Sequence, residues 1–162
     1  MLRINDVYQY QDLSIRILKT LSEHIVWIDI NDVKALPEII SKTELFHAIE
    51  SFEVFRIEDP FQDIAFIQPE KDSTSQRKRD ENYNLIKNIV DHEQFYIPSA
   101  RSSLINEIIN SKKSTKQTVY RLLRQYWQRG QTPNALIPNY QNSGASTQLF
   151  LTNESLPKTS KI

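Results

Sequence analysis

The hydrophobic period changes along the chain, and this change limits the possible folds more than any other feature. Near the N-terminus the apolar residues come in short β-branched or aromatic runs. "SIRILKT" sets Ile15, Ile17 and Leu18 among polar residues, and "HIVWIDI" supplies Ile25, Val26, Trp27, Ile28 and Ile30. Runs of this kind read as strands, and the break "LSEH" between them suits a hairpin turn. "INDVYQY" is a weaker strand candidate, and "VFRI" is a short one stopped by Asp59-Pro60. One helix is expected in "SKTELFHAIESFEVF". There Ser41 can accept from a first-turn N–H while Glu44 reaches back, and Leu45, Ile49 and Phe52 follow at helical spacing. A few strands with one helix make a small SH3-like or curled sheet.

Beyond residue 70 the period is helical. The polar run "QPEKDSTSQRKRDEN" reads as a linker running into a helix whose stripe is Tyr83, Ile86, Ile89 and Val90. That helix is expected to end near His92. Ser99, just past Pro98, is the expected N-cap of the next helix, striped by Leu104, Ile105, Ile108 and Ile109. After "NSKKS", Ser114 is expected to cap a third helix, answered by Gln117, and Gly130 to stop it. From Gln131 the prolines and Asn/Ser residues predict an extended arm, followed by a tail of disordered composition. The expected fold class is α+β. It has a small β-rich domain over 1–70, an all-α helix-turn-helix domain over 71–130, and the arm and tail over 131–162.

Charge follows the same division. The chain is neutral, yet residues 1–70 carry 6 Lys+Arg against 13 Asp+Glu, and residues 101–130 carry 7 against 1. Segregation of this kind suggests separate duties for an acidic front module and a basic rear one. There is no cysteine, which excludes a disulfide framework, a thiol nucleophile and a cysteine-ligated zinc, and fits a reducing cytoplasm. The N-terminus lacks the apolar core of a signal peptide, and no apolar run has the length of a membrane span.

The third rear helix, within "STKQTVYRLLRQYWQRG", concentrates the functional signal. Val119, Leu122, Leu123 and Tyr126 fall on one face and are expected to pack on the preceding helix. Lys116, Gln117, Tyr120, Arg121 and Arg124 share an exposed strip, with Gln128 and Arg129 near its end. A helix fits the major groove of B-DNA, where residues near its N-terminus reach base edges first. Gln117 suits adenine and Arg121 suits guanine, each through two hydrogen bonds. Ser114, Thr115 and Thr118 are candidate phosphate donors beside the free first-turn N–H groups. Lys112 and Lys113 in the turn, with Arg101, are candidate phosphate contacts. The basic residue, glycine and prolines of "QRGQTPNALIPNY" also suit a backbone or minor-groove path, or a plain linker. A solvated surface helix would show much of this pattern, and RNA or an acidic protein would satisfy the same charge.

The run "TKQTVYRLLRQYWQRGQTPNALIPNYQNSGA", residues 115–145, closely resembles the N-terminal part of TnsB-type transposases. These are subunits of heteromeric bacterial transposons that choose targets through partner proteins. Weaker likeness runs back through "RSSLINEII", "FRIEDPF" and "INDVYQY". The resemblance implies binding to double-stranded DNA at repeated sites in transposon ends, with the end-binding helix over residues 116–124. It also implies bacterial cytoplasm, at the nucleoid, and contact with other transposition subunits. In the family a later RNase-H-like domain joins 3′ ends to target DNA with three carboxylates and divalent metal. "STQLFLTNESLPKTSKI" has no such character. These residues are therefore expected to hold no catalysis, metal or cofactor, and to act on no membrane or small-molecule substrate. The chain reads as a natural truncation, a frameshift remnant or a cut piece of a longer transposase. The rival expectations are a protein-interaction module docking on a partner subunit, or a truncated remnant without activity.

Other chemistry is not indicated. His24, His47 and His92 lack ligand spacing. Glu50, Glu53, Glu58, Asp59 and Asp63 read as a solvated acidic face, and no glycine loop is present to cradle a phosphate. Trp27 and Trp127 read as core or module-interface residues.

Overall fold

The computed structural model describes residues 2–138. Five strands form one antiparallel sheet: β1 Val7–Tyr10, β2 Leu13–Thr20, β3 His24–Asp29, β4 Glu38–Ser41 and β5 Val54–Ile57, in the order β4-β3-β2-β1-β5. The hairpin between β2 and β3 closes with Leu21 N–H donating to His24 O at 2.8 Å. Helix α1, Lys42–Glu50, joins the two edge strands, and Ser41 caps it by accepting from Glu44 N–H at 3.0 Å. Strand β4 has no counterpart in the sequence reading, because its two adjacent isoleucines show no alternation and Ile39 stays exposed.

The sheet is buried on both faces, which explains why "HIVWIDI" looks like a continuous apolar run rather than an alternating one. One face packs Tyr8, Ile15, Ile17, Ile25 and Val54 against Leu45 and Ala48 of α1. The other carries Val7, Leu18, Val26 and Ile28 into the helical half. A register shift between Ile17 and Lys19 accompanies this exchange of faces along β2.

Three longer helices follow: α2 Thr74–Val90, α3 Pro98–Asn110 and α4 Lys116–Gln128. Much of the supposed linker is the start of α2. Ser73 accepts from Gln76 N–H while Gln76 Oε1 accepts from Asp72 N–H, so the polar first turns are held by their caps. Two expected caps move by one or two residues. Pro98 takes the first position of α3, with Ile97 as N-cap, since its fixed φ and missing N–H suit that place better than Ser99. Thr115, not Ser114, caps α4, its Oγ1 accepting from Thr118 N–H at 3.2 Å. Gly130, at φ +112°, ends α4 as expected, in a conformation side-chain-bearing residues avoid.

A single core joins the sheet to the helices. Ile86, Ile89, Phe95, Ile105, Val119, Leu122, Leu123, Tyr126, Trp127 and Leu136 are buried together with the sheet residues above. Trp127 is fully buried and stacks on Phe95 at 5.6 Å between ring centroids. Over residues 131–138 the chain does not run out as an extended arm. Pro133–Leu136 forms a 3-10 turn, and Ala135, Leu136 and Ile137 are buried against α2 and α4. Burying these three apolar side chains outweighs the turn-forming bias of the flanking prolines. Residues 139–162, which hold the rest of the expected arm and tail, lie outside the described residues.

Candidate nucleic-acid interface

Helix α4 is fixed from beneath and open above. Val119, Leu122, Leu123, Tyr126 and Trp127 are buried, while Lys116, Gln117 and Arg121 are exposed. The turn from α3 spans residues 111–115, with Lys112 and Lys113 both exposed. Lys112 stands at φ 61°, and its N–H donates to Ile109 O at 3.0 Å, closing the end of α3. The front domain does not cover this half of the helix: its hydrogen bonds to α4 come from Arg124 onward.

The other sequence candidates divide by what holds them. Thr115 and Thr118 share a hydroxyl–hydroxyl bond at 3.1 Å at the helix start, beside the half-buried Ser114. Tyr120 is half-buried and its ring packs on the main core. Arg124 Nε donates to Ala35 O at 3.0 Å. Gln128 Nε2 donates to Asp29 O at 2.9 Å and Asp32 O at 2.7 Å, so its amide ties α4 to the sheet domain instead of facing outward. Arg129 lies over the Phe61 ring at 5.6 Å. Arg101 is a correction. It is 4% exposed, its Nη1 donates to Phe95 O at 3.1 Å, and burial lowers its pKa. The stripe of α3 turns Arg101 inward, so it is placed to brace the loop before α3 and not to meet a phosphate.

Sequence reasoning missed the residue that joins the two halves. Arg16 in β2 is fully buried, and all five of its N–H groups are engaged. Nη1 and Nη2 meet the two carboxylate oxygens of Asp59 at 2.8 Å each. Nη1 also donates to Asn5 O, while Nε and Nη2 donate to Gln128 O at 3.1 and 3.0 Å. Gln128 O is one of the carbonyls left unpaired at the end of α4, where a cation is favoured. Asp59 is thus the half-buried partner of a fully buried arginine and not part of a solvated acidic face. A basic residue between the apolar Ile15 and Ile17 hinted at an inward arginine, but nothing local pointed to its partners.

The distinctive run after α4 is a clasp. Gln131 Nε2 donates to Asn5 Oδ1 and Leu18 O. Asn134 Nδ2 reaches Ile64 O at 3.0 Å and Ile67 O at 2.8 Å, while its Oδ1 accepts from Arg79 Nη1 at 3.0 Å. Gln125 and Asn82 hold Ala135 O and Leu136 O.

Among the described residues, no three His, Asp or Glu side chains are placed to hold a metal ion. No helix among them is long and apolar enough to cross a membrane.

Two family models match this sheet and the helices that follow it. Residues 1–60 match the TnsB N-terminal SH3-like domain, and residues 79–140 match the TnsB second domain. The chain belongs to the TnsB family. It is 39% identical over 145 residues to the Transposon Tn7 transposition protein TnsB of Escherichia coli. The match takes in 90% of this chain but 21% of that TnsB protein, so the chain spans about a fifth of its relative's length. The matched models are both TnsB N-terminal domains. The "YWQRGQTPNALIP" run, part of the segment that carries the TnsB resemblance, thus closes α4 and forms the clasp.

Proposed function

We propose that this chain binds duplex DNA at transposon ends, as the N-terminal part of a transposase, with the first half of α4 in the major groove. The observation that carries the reading is the exposure of Lys116, Gln117 and Arg121 above a face whose apolar residues are all buried. Gln117 and Arg121 read base edges. Lys112, Lys113 and the capped first turn, whose N–H groups lack helical partners, hold phosphates. The relative's name, a transposition protein, supports the same reading. These residues bind and position; strand transfer is not assigned to them.

The test is titration of labelled duplexes, the end sequence of the parent element against a scrambled one, at two salt concentrations. Preference for the end sequence by at least tenfold at both salts supports the reading, and equal affinity for the two duplexes sinks it. Arg121→Ala should cost about 1–3 kcal/mol on the end sequence and flatten preference at one base. Equal loss on scrambled DNA would make Arg121 a phosphate contact.

A second reading draws on the front domain, where Phe52 is 84% and Phe55 51% exposed on an acidic module that DNA repels. Docking of this domain on a partner transposition subunit would leave α4 free. Phe52→Ser would then impair assembly with that subunit and spare DNA binding; normal assembly would remove this reading.

A further inference from the structure

Between the first half of α2 and the second half of α4 lies an open groove of about 540 Å³. Lys78, Arg121, Arg124 and Arg129 line it together with Asn82 and Gln128, and no carboxylate among the described residues lines it. We propose that this groove is a clamp for the DNA phosphate backbone, with Arg124 and Lys78 as its phosphate contacts. The proposal rests on the DNA-binding reading above and deepens it, since it separates the groups that clamp from the groups that read.

Several observations converge. The groove is continuous with the exposed strip of α4, because Arg121 belongs to both. Its walls are already fixed. Asn82 and Gln125 donate to the carbonyls of Leu136 and Ala135, and Gln128 donates to those of Asp29 and Asp32. Arg124 is held through Nε by Ala35 O, while its Nη1 and Nη2 make no hydrogen bond among the described residues. A guanidinium fixed at one nitrogen and open at the other two is a prepared fork for two phosphate oxygens. Arg121 likewise makes no ion pair among the described residues. Lys78 has only a loose 3.7 Å pair with Glu81, both side chains being more than half exposed, so little holds it back from a stronger anion. Lys78 was hidden from sequence reasoning, because "SQRKRDEN" reads as a polar linker and its α2 partner face appears only on folding. With the leading half of α4 across the base edges, the strand flanking the major groove falls against the helix's second half, where backbone contacts are made in related helix-turn-helix dockings.

The experiment measures affinity against salt for wild type, Lys78→Ala, Arg124→Ala and Arg124→Lys, on the end sequence and on a scrambled duplex. Thermal unfolding of each protein is recorded alongside. The expected result is that Lys78→Ala and Arg124→Ala each lower the slope of log K against log[salt] by about one. Affinity falls by similar factors on both duplexes, and the preference ratio of wild type is kept. Arg124→Lys retains the slope but loses the fork, so its affinity falls with the slope unchanged. Lys78 is exposed and its removal cannot unfold the domain, so it decides the matter even if Arg124→Ala proves unstable. Unchanged slopes in Lys78→Ala and a folded Arg124→Ala, with wild-type preference intact, would overturn the clamp alone. A lost preference ratio at constant slope in Arg124→Ala would make Arg124 a base reader and overturn it too. A wild type that never discriminates would instead defeat the end-binding reading, while lowered slopes in that case would still support the clamp.

Discussion

Arg16 shows how much one side chain can settle. Its guanidinium is removed from water, and only the complete set of acceptors from Asp59, Asn5 and Gln128 makes that tolerable. Arg16→Ala leaves Asp59 with the Phe61 N–H alone and takes the guanidinium from Gln128 O at the end of α4. We expect a loss of about 3 kcal/mol in urea unfolding, since breaking a buried pair costs far more than a surface one. A loss below about 1 kcal/mol would mean the junction is not held by this group. Tyr126 gives a pH test. Burial pushes its hydroxyl pKa up to about 12, with the charges of Tyr83 and Asp91 adding to the effect. The unfolded chain releases this proton near pH 10 and the fold resists doing so, so the stabilisation is complete below about pH 10 and disappears as pH climbs through about 12. Tyr8 and Tyr83 are shifted in the same direction, so the comparison is made with Tyr126→Phe. The variant should lose stability less steeply between pH 10 and 12; identical slopes would contradict the assignment. Neither Arg16 nor Asp59 was legible as a junction, because an ion pair between residues 43 positions apart leaves no local pattern.

Elements were legible where periodicity and capping coincide. The strands around "LSEH", the helix after Ser41 and the apolar face of α4 all follow from local spacing. β4 was not legible because its adjacent isoleucines show no alternation and pairing with β3 stabilises it, and the first turns of α2 were not because their apolar content is low and their caps hold them. The exposed half of α4 was legible in Lys116, Gln117 and Arg121. Arg101 was misplaced because periodicity shows which residues share a face but not which way a marginal residue turns. The turn between α3 and α4 offers a separation of stability from binding. Lys112 occupies a left-handed position that glycine fills more cheaply, so Lys112→Gly should stabilise the fold by about 1 kcal/mol. On DNA the same change should lower the salt slope by about one. A variant that is more stable with an unaltered slope would leave Lys112 a purely structural residue. Thr115→Ala, which removes the α4 cap, should cost about 1 kcal/mol in thermal or urea unfolding.

At the scale of the whole molecule, charge suggested two modules and packing makes them one body. The sheet and the helices share a core, and α4 is bonded to the sheet domain through Arg16, Arg124 and Gln128. Unfolding followed by tryptophan fluorescence and by far-ultraviolet circular dichroism should therefore coincide in a single transition; two separated midpoints would contradict the shared core. The same junction gives the acidic front domain a role: it anchors the second half of the basic helix and leaves the first half open. Whether that open half enters the major groove is tested most directly by replacing guanines in the bound sequence, one at a time, with 7-deazaguanine, which lacks the N7 acceptor. The account predicts one position where the replacement weakens wild-type binding by about 1–3 kcal/mol and has no further effect on Arg121→Ala. If no replacement weakens wild type, or if each weakens the variant equally, α4 does not read the groove through Arg121.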